Sequence, residues 1–164
     1  MDNPSVQVKD NFLNEKELKI ILSNLNKINF TYRPKDGEDK TDGFRHVFTP
    51  AEDSKWLFEK IKNQFFPDKD LKSALCAYHL RWNKHKKLLH CDENDDFNFI
   101  LYLKGKELLF NGTGFFKDQK LHTAIGFMYN RAIFFNGKNV LHSDLQAFGD
   151  SSFRSTLNIF FRYK

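Results

Sequence analysis

Cysteine is scarce in this chain, and long apolar runs are missing from it. The two cysteines, Cys76 and Cys91, are too few for a framework of disulfides. No apolar stretch approaches the roughly 18 residues that a membrane-spanning helix needs. The opening segment, MDNPSVQVKDNF, does not show the basic start and apolar run of a signal peptide. We therefore expect a cytoplasmic protein with reduced thiols and no membrane segment.

Internal repeats and low-complexity blocks are also missing, and the composition is that of a folded chain. The length of 164 residues suits a single domain, so we expect one domain over residues 1–164. A hydrophobic content of 40% excludes a disordered protein, and 19 phenylalanines predict a core of aromatic rings. The net charge of +5 permits an anionic partner without requiring one.

Two segments in the first part of the chain predict helices. Residues 14–28, NEKELKIILSNLNKI, place apolar side chains at three- and four-residue spacing, which is typical of an amphipathic helix. A second helix is predicted over residues 49–66, because Thr49 and Glu52 match a capping box. The charged segment between them, residues 33–46, predicts a loop that could serve as a substrate lid.

From about residue 73 the apolar period changes to two, which predicts strands. A helical flank over about residues 1–72 and a strand-rich core over about residues 73–164 indicate an α+β, mainly β domain. We expect an antiparallel barrel or sandwich with the helices on one side. The predicted strands are 5–9, 74–82, 86–92, 96–103, 107–110, 113–116, 121–128, 131–135, 139–142 and 152–162.

Two of these strands have one apolar and one polar face. The apolar faces consist of Phe153, Ser155, Leu157, Ile159 and Phe161 in one strand and Phe97, Phe99, Leu101 and Leu103 in the other. The opposite faces consist of Arg154, Thr156, Asn158, Phe160 and Arg162, and of Asn98, Ile100, Tyr102 and Lys104. The polar faces could meet solvent. In a closed barrel whose apolar face carries the helices, they would line a cavity instead.

One short motif suggests a metal site. His90 and Asp92 alternate along an extended chain, so both point to the same side, although the pair alone could be chance. A second histidine, His142, ends the strand-like run NRAIFFNGKNVLH. Two histidines and one carboxylate leave three coordination positions open, as in non-haem Fe(II) oxygenases. Arg154 follows one strand later, and its planar fork could bind a carboxylate.

These residues, in this order, resemble the 2-oxoglutarate/Fe(II)-dependent dioxygenase superfamily, most closely its prolyl-hydroxylase-like branch. The matching segments are VKDNFLNEKELKII (8–21), LRWNKHKKLLHCD (80–92), FILYLKG (99–105), NGTGFF (111–116), NRAIFFNGKNVLHSD (130–144) and FRSTLNIFFRY (153–163). The resemblance implies a double-stranded β-helix, or jelly-roll, with flanking N-terminal helices.

The resemblance also implies roles for individual residues. His90, Asp92 and His142 would bind Fe(II), and Arg154 would pair with the 5-carboxylate of 2-oxoglutarate. These four are the expected catalytic residues. Further expected contacts to the cosubstrate are Tyr102, Trp82, Thr156 and Asn98, although relatives often have a tyrosine near the position of Trp82. The other expected requirement is O2, and ascorbate is compatible with the family.

The implied reaction hydroxylates a C–H bond and yields succinate and CO2. The substrate would be a prolyl or other residue of a peptide or protein, or a free amino acid. A nucleic-acid dealkylating dioxygenase is the alternative, but such enzymes usually carry a second arginine six residues after the first, where this chain has Phe160. A non-catalytic jelly-roll binding module is a third reading, and the complete ligand set argues against it.

Overall fold

Ten strands and two helices make up the part of the chain that the computed structural model describes, which comprises residues 6–34, 41–48, 55–81, 89–145 and 153–163. The helices are α1 (Glu15–Asn26) and α2 (Lys55–Phe65), and the strands are β1 (Gln7–Lys9), β2 (Thr31–Pro34), β3 (Thr41–Phe48), β4 (Leu71–Arg81), β5 (Phe97–Lys104), β6 (Thr113–Lys117), β7 (Lys120–Ile125), β8 (Ala132–Asn136), β9 (Leu141–Asp144) and β10 (Arg154–Tyr163). Within these ranges, neither helix has the length and apolar character that crossing a bilayer demands.

The strands form two antiparallel sheets. The large sheet has seven strands in the order β1-β8-β5-β10-β4-β3-β2, and the small sheet has three in the order β7-β6-β9. Strands that are far apart in sequence, such as β5 and β10, are neighbours, so long connections link the pairs. This confirms the prediction of a mainly β, antiparallel domain with two helices.

Both helices pack on one face of the large sheet. Leu18, Ile21 and Leu25 of α1 are buried at helical spacing, as are Leu57 and Ile61 of α2. The start of α1 is fixed by a capping box. Its N-cap, Asn14, accepts a hydrogen bond at its side chain from the Glu17 backbone, and the Glu17 carboxylate accepts one from the Asn14 backbone.

The alternation along β5 and β10 places their two faces as predicted. Phe99, Leu101, Leu103, Leu157, Ile159 and Phe161 are buried beneath the helices. Aromatic rings fill this layer, and Phe66 stacks on Phe134 with ring centroids 5.2 Å apart. On the opposite face, Arg154, Thr156, Asn158 and Phe160 line a cavity. The polar faces therefore form the wall of a pocket between the two sheets.

Three predictions about secondary structure were wrong. Residues 33–34 and 41–46 of the predicted 33–46 loop belong to β2 and β3, because β3 pairs with both β2 and β4 and this pairing overrides the charged local sequence. Residues 109–110 of the predicted strand 107–110 lie instead in a 3-10 turn that spans Leu109–Asn111. Residues 89–92 are the described part of the predicted strand 86–92, and among them only His90 forms a bridge. The capping box at Thr49 and Glu52 lies outside the described residues.

The N-terminal part of the chain is more than a helical flank. It contributes β1 to one edge of the large sheet and β2 and β3 to the other. The large sheet thus extends beyond the predicted core of residues 73–164. This extension places β3 beside β4, at the rim of the cavity.

The two thiols should differ in reactivity. Cys76 is 1% exposed, and burial raises the pKa of its thiol to about 12. Cys91 is only partly buried. We expect a thiol reagent such as DTNB to titrate one cysteine in the native protein and two in denaturant. Cys91→Ser should abolish the reaction of the native protein with DTNB. If both thiols of the unmodified native protein reacted quickly, the sheet around Cys76 in β4 would have to open readily.

Candidate active site

His90 and His142 come together through backbone pairing. The His90 N–H donates to the His142 carbonyl at 3.1 Å, and the His142 N–H donates to the His90 carbonyl at 2.9 Å. Residues that pair directly across an antiparallel bridge point to the same side. Their ring centroids are accordingly 4.4 Å apart. The first residues of β9 therefore bring His142 next to the segment that carries His90 and Asp92.

Asp92 contacts both rings through its carboxylate. Its Oδ1 is 3.4 Å from His90 Nε2, and its Oδ2 is 3.4 Å from His142 Nε2. Its backbone N–H donates to the Gly137 carbonyl at 2.9 Å, and Asn98 Nδ2 donates to Oδ2. Burial by itself would raise the pKa of Asp92, but hydrogen bonds from the two histidines lower it below the ordinary value. The group is therefore a carboxylate at neutral pH.

The backbone fixes the tautomer of His142. Its Nδ1 lies 3.0 Å from the Val140 carbonyl, which can only accept, so Nδ1 carries the proton. A bound metal would take the place of a proton on Nε2, the nitrogen that faces Asp92, and would then be held by the Nε2 lone pair. The Phe135 ring packs edge-on against the imidazole at 4.7 Å and holds it in place. The ring is thus held with Nε2 facing the other two candidate ligands, His90 and Asp92.

The three side chains fit a divalent metal. One ligand atom from each of His90, Asp92 and His142 can be chosen so that all lie within 4.8 Å of one another. Nitrogen and oxygen ligands sit about 2.1 Å from such a metal, so adjacent ligands are about 3 Å apart. The distances of 3.4 Å in the structure are close to that spacing. One carboxylate and two neutral imidazoles would leave coordination positions open towards the cavity.

Arg154 lies in the same cavity, which has a volume of about 160 Å³. Its side chain is 3% exposed. Nη1 donates to the carbonyls of Asn111 and Gly112 at 2.9 and 2.7 Å, and Nη2 donates to Asp144 Oδ1. A Cβ on Gly112 would lie 1.7 Å from the Ile125 carbonyl oxygen, so only glycine fits there. This arrangement holds the guanidinium in one orientation.

Asp144 is a cavity residue that the sequence analysis missed. Besides Arg154, it contacts Arg81, whose Nε is 3.3 Å from Asp144 Oδ2. Burial by itself would raise the pKa of Asp144, but the two guanidinium groups lower it below the ordinary value. Its alternation with His142 along one strand could have suggested that it faces the cavity. The contact with Arg81 depends on the pairing of β4 with β10, which the sequence does not reveal.

No family model and no curated protein matches the sequence. Solved structures do match. A prolyl-4-hydroxylase from Pseudomonas putida superimposes with a TM-score of 0.65 and 16% identity, covering 99% of this chain and 94% of that chain. The chain has the prolyl-hydroxylase fold. The viral collagen prolyl hydroxylase of Paramecium Bursaria Chlorella virus-1 gives a TM-score of 0.64 and 18% identity, covering 99% of this chain and 94% of that one.

A third neighbour is an oxidoreductase of the 2OG-Fe(II) oxygenase family from Burkholderia pseudomallei. Its TM-score is 0.61 at 11% identity, and the match covers 95% of this chain and 84% of that chain. The sequence identities are low, whereas nearly the whole chain superimposes on each neighbour. The prolyl-hydroxylase fold predicted from short motifs is thereby confirmed.

The Tyr102 ring packs against the guanidinium of Arg154. Its ring is fully buried, and the Arg154 guanidinium carbon lies 5.8 Å from the ring centroid. Its hydroxyl is 2.8 Å from Thr113 Oγ1, and Thr113, which the sequence analysis missed, lines the cavity. Direct contact between Tyr102 and a cosubstrate stays a prediction. The structure gives Tyr102 a positioning role.

Two other predicted cosubstrate residues, Thr156 and Asn98, line the cavity but make different contacts. Thr156 lines the cavity and donates from Oγ1 to Asn158 Oδ1 at 2.7 Å. Asn98 lines it too, but contacts the Asp92 carboxylate, which suits orientation of a metal ligand. Trp82 lies outside the described residues. A role for it beside the cosubstrate stays a prediction.

Gly137 offers a test of how Asp92 is positioned. A Cβ on this residue would lie 2.6 Å from the Asp95 carbonyl oxygen and 2.9 Å from Asn98 Oδ1. We expect Gly137→Ala to shift this turn, lowering the free energy of unfolding by roughly 1–3 kcal/mol. Metal affinity should fall by roughly 10-fold, as for other changes beside metal ligands. Calorimetric titration with Co(II) would measure the affinity, and unchanged affinity would show that the turn does not set Asp92.

Proposed function

We propose that this protein is a non-haem Fe(II), 2-oxoglutarate-dependent dioxygenase. The observation that carries the proposal is the grouping of His90, Asp92 and His142 in the same cavity as Arg154. The fold of prolyl hydroxylases and of a 2OG-Fe(II) oxygenase supports it. We further propose that the chain is one domain and that its two facing sheets form a double-stranded β-helix, or jelly-roll.

Each residue would have a defined part in the reaction. His90 and His142 would supply neutral nitrogen ligands and Asp92 one negative charge. Arg154 would hold the distal carboxylate of 2-oxoglutarate, so that the keto acid binds in one orientation. Bound Fe(II) would supply activation of O2, coupling decarboxylation of 2-oxoglutarate to succinate and CO2 with oxidation of a C–H bond. The buried Phe135 ring covers one side of the His142 imidazole.

The proposed substrate is a prolyl or other residue in a peptide or protein, or a free amino acid, which would be hydroxylated. The names of the structural neighbours support this choice over others. Dealkylation of nucleic acid is the alternative within the same chemistry. At the position where such enzymes carry a second arginine, Phe160 lies beneath the guanidinium of Arg45, 5.6 Å from the ring centroid. We therefore rank nucleic acid second.

The first test is spectroscopic. Fe(II) and then 2-oxoglutarate are added to metal-free protein without oxygen. We expect a weak metal-to-ligand charge-transfer band in the visible range, lost in His142→Ala. Protein that binds no iron and gives no band would overturn the proposal, and a jelly-roll binding module without catalysis would then be favoured.

The substrate class needs a second measurement. Succinate formation is followed with proline-containing peptides, free amino acids and a methylated oligonucleotide as separate additions. We expect peptides or amino acids to raise turnover above the rate of uncoupled decarboxylation. Stimulation by the oligonucleotide alone would contradict this ranking and support the dealkylating enzyme.

A further inference from the structure

Nη2 of Arg154, the nitrogen through which a ligand carboxylate would bind, already donates a hydrogen bond to Asp144. Both hydrogens of Nη1 are directed to backbone carbonyls, those of Asn111 and Gly112. A carboxylate binds an arginine side chain in a bidentate manner through Nη1 and Nη2 or through Nε and Nη2. Both edges include Nη2, and Nη2 donates to Asp144. A ligand carboxylate that binds in a bidentate manner therefore has to share Nη2 with the like charge of Asp144, which disfavours its binding while Asp144 stays in place.

Asp144 also contacts a second arginine, Arg81. Its Oδ2 is 3.3 Å from Arg81 Nε, while its Oδ1 accepts from Arg154. Arg81 and Arg154 are direct partners in the register of β4 and β10, so both guanidinium groups flank the same carboxylate. The Asp144 side chain is 21% exposed, against 3% for Arg154. Asp144 is therefore the member of this group with room to move.

We propose that Asp144 is a built-in competitor for the distal carboxylate of the keto acid and that it transfers from Arg154 to Arg81 when the keto acid binds. The inference rests on the proposed function, since it concerns the anion subsite of that site. The transfer leaves every charge paired, because Arg154 exchanges one carboxylate for another and Asp144 retains Arg81. Asp144 thus sets the affinity for dicarboxylic keto acids and leaves short keto acids unaffected.

The test measures binding without turnover. Metal-free protein is loaded anaerobically with Fe(II) and titrated with 2-oxoglutarate or with pyruvate, which lacks the distal carboxylate. The charge-transfer band reports each dissociation constant. Asp144→Asn removes the competing charge while keeping the side-chain shape, so we expect 2-oxoglutarate to bind roughly 10-fold more tightly. Pyruvate affinity should stay unchanged. Asp144→Glu keeps the charge and should not bind 2-oxoglutarate more tightly.

Arg81 tests the transfer itself. In Arg81→Met, Asp144 loses its second partner, so we expect 2-oxoglutarate to bind roughly 10-fold more weakly. In the double variant with Asp144→Asn, that loss should disappear, because no carboxylate has to be transferred. If the loss persists in the double variant, Arg81 binds the keto acid directly and the transfer is disproved.

The outcomes separate this inference from the proposed function. Absence of a band with both keto acids in the unmodified protein would reject the iron and keto-acid chemistry. A band with both, combined with equal or weaker 2-oxoglutarate binding in Asp144→Asn, would reject the competitor role alone. Weaker binding would in addition show that Asp144 orients Arg154. Thermal unfolding of each variant checks that the comparison is made between folded proteins.

Discussion

His142→Ala should lower the affinity of the protein for Fe(II) by more than about 100-fold, beyond the range seen when only a residue behind a metal ligand is changed. The substitution removes one of three ligands and leaves His90 and Asp92, which together hold a divalent metal weakly. It also removes a ring whose tautomer is fixed by the backbone carbonyl of Val140. Anaerobic equilibrium dialysis with Fe(II), or calorimetry with Co(II), would measure the change.

A matched control is available in β7. His122 is exposed, and its Nδ1 contacts the neighbouring Thr123 hydroxyl at 2.9 Å. His122→Ala should leave metal affinity unchanged. Because His142 is 7% exposed and packs on Phe135, its removal also costs packing, and thermal unfolding should be recorded beside the titration. Retained affinity in folded His142→Ala would assign the metal to other ligands.

Much of this site was predictable because alternation along a strand determines which side chains share a face. His90 with Asp92, and Arg154 with Thr156, follow directly from period-two reasoning. The cavity side of β10 was also predictable once two helices were assigned to its apolar face. The pairing of His90 with His142 was predicted only through the resemblance, because the bridge joins segments that are distant in sequence.

What the sequence does not show is the register between distant strands. The contact of Asp144 with Arg81 depends on β4 pairing with β10, and the strand at residues 41–48 exists because β4 offers it an edge. Local composition predicted the wrong secondary structure for one charged segment and for one apolar segment. A charged segment became a strand, whereas the apolar residues Leu109 and Phe110 lie in an exposed 3-10 turn.

Arg154→Met should weaken the binding of 2-oxoglutarate by at least about 100-fold, because a buried, charge-assisted contact to the distal carboxylate is lost. Pyruvate should bind nearly as before, since it has no distal carboxylate. The anaerobic charge-transfer titration measures both constants in the same preparation. A specific loss for the longer keto acid would identify Arg154 as its anchor.

The same substitution affects stability, which makes a second variant necessary. Removing one partner of a buried ion pair costs about 3–5 kcal/mol, and Arg81 would compensate Asp144 only in part. Arg154→Lys keeps the charge and loses the fork, so it should unfold nearer to the unmodified protein and still bind 2-oxoglutarate more weakly. If folded Arg154→Lys and Arg154→Met both bound 2-oxoglutarate normally, the distal carboxylate would have to pair with Arg81 or Arg45, the other arginines that line the cavity.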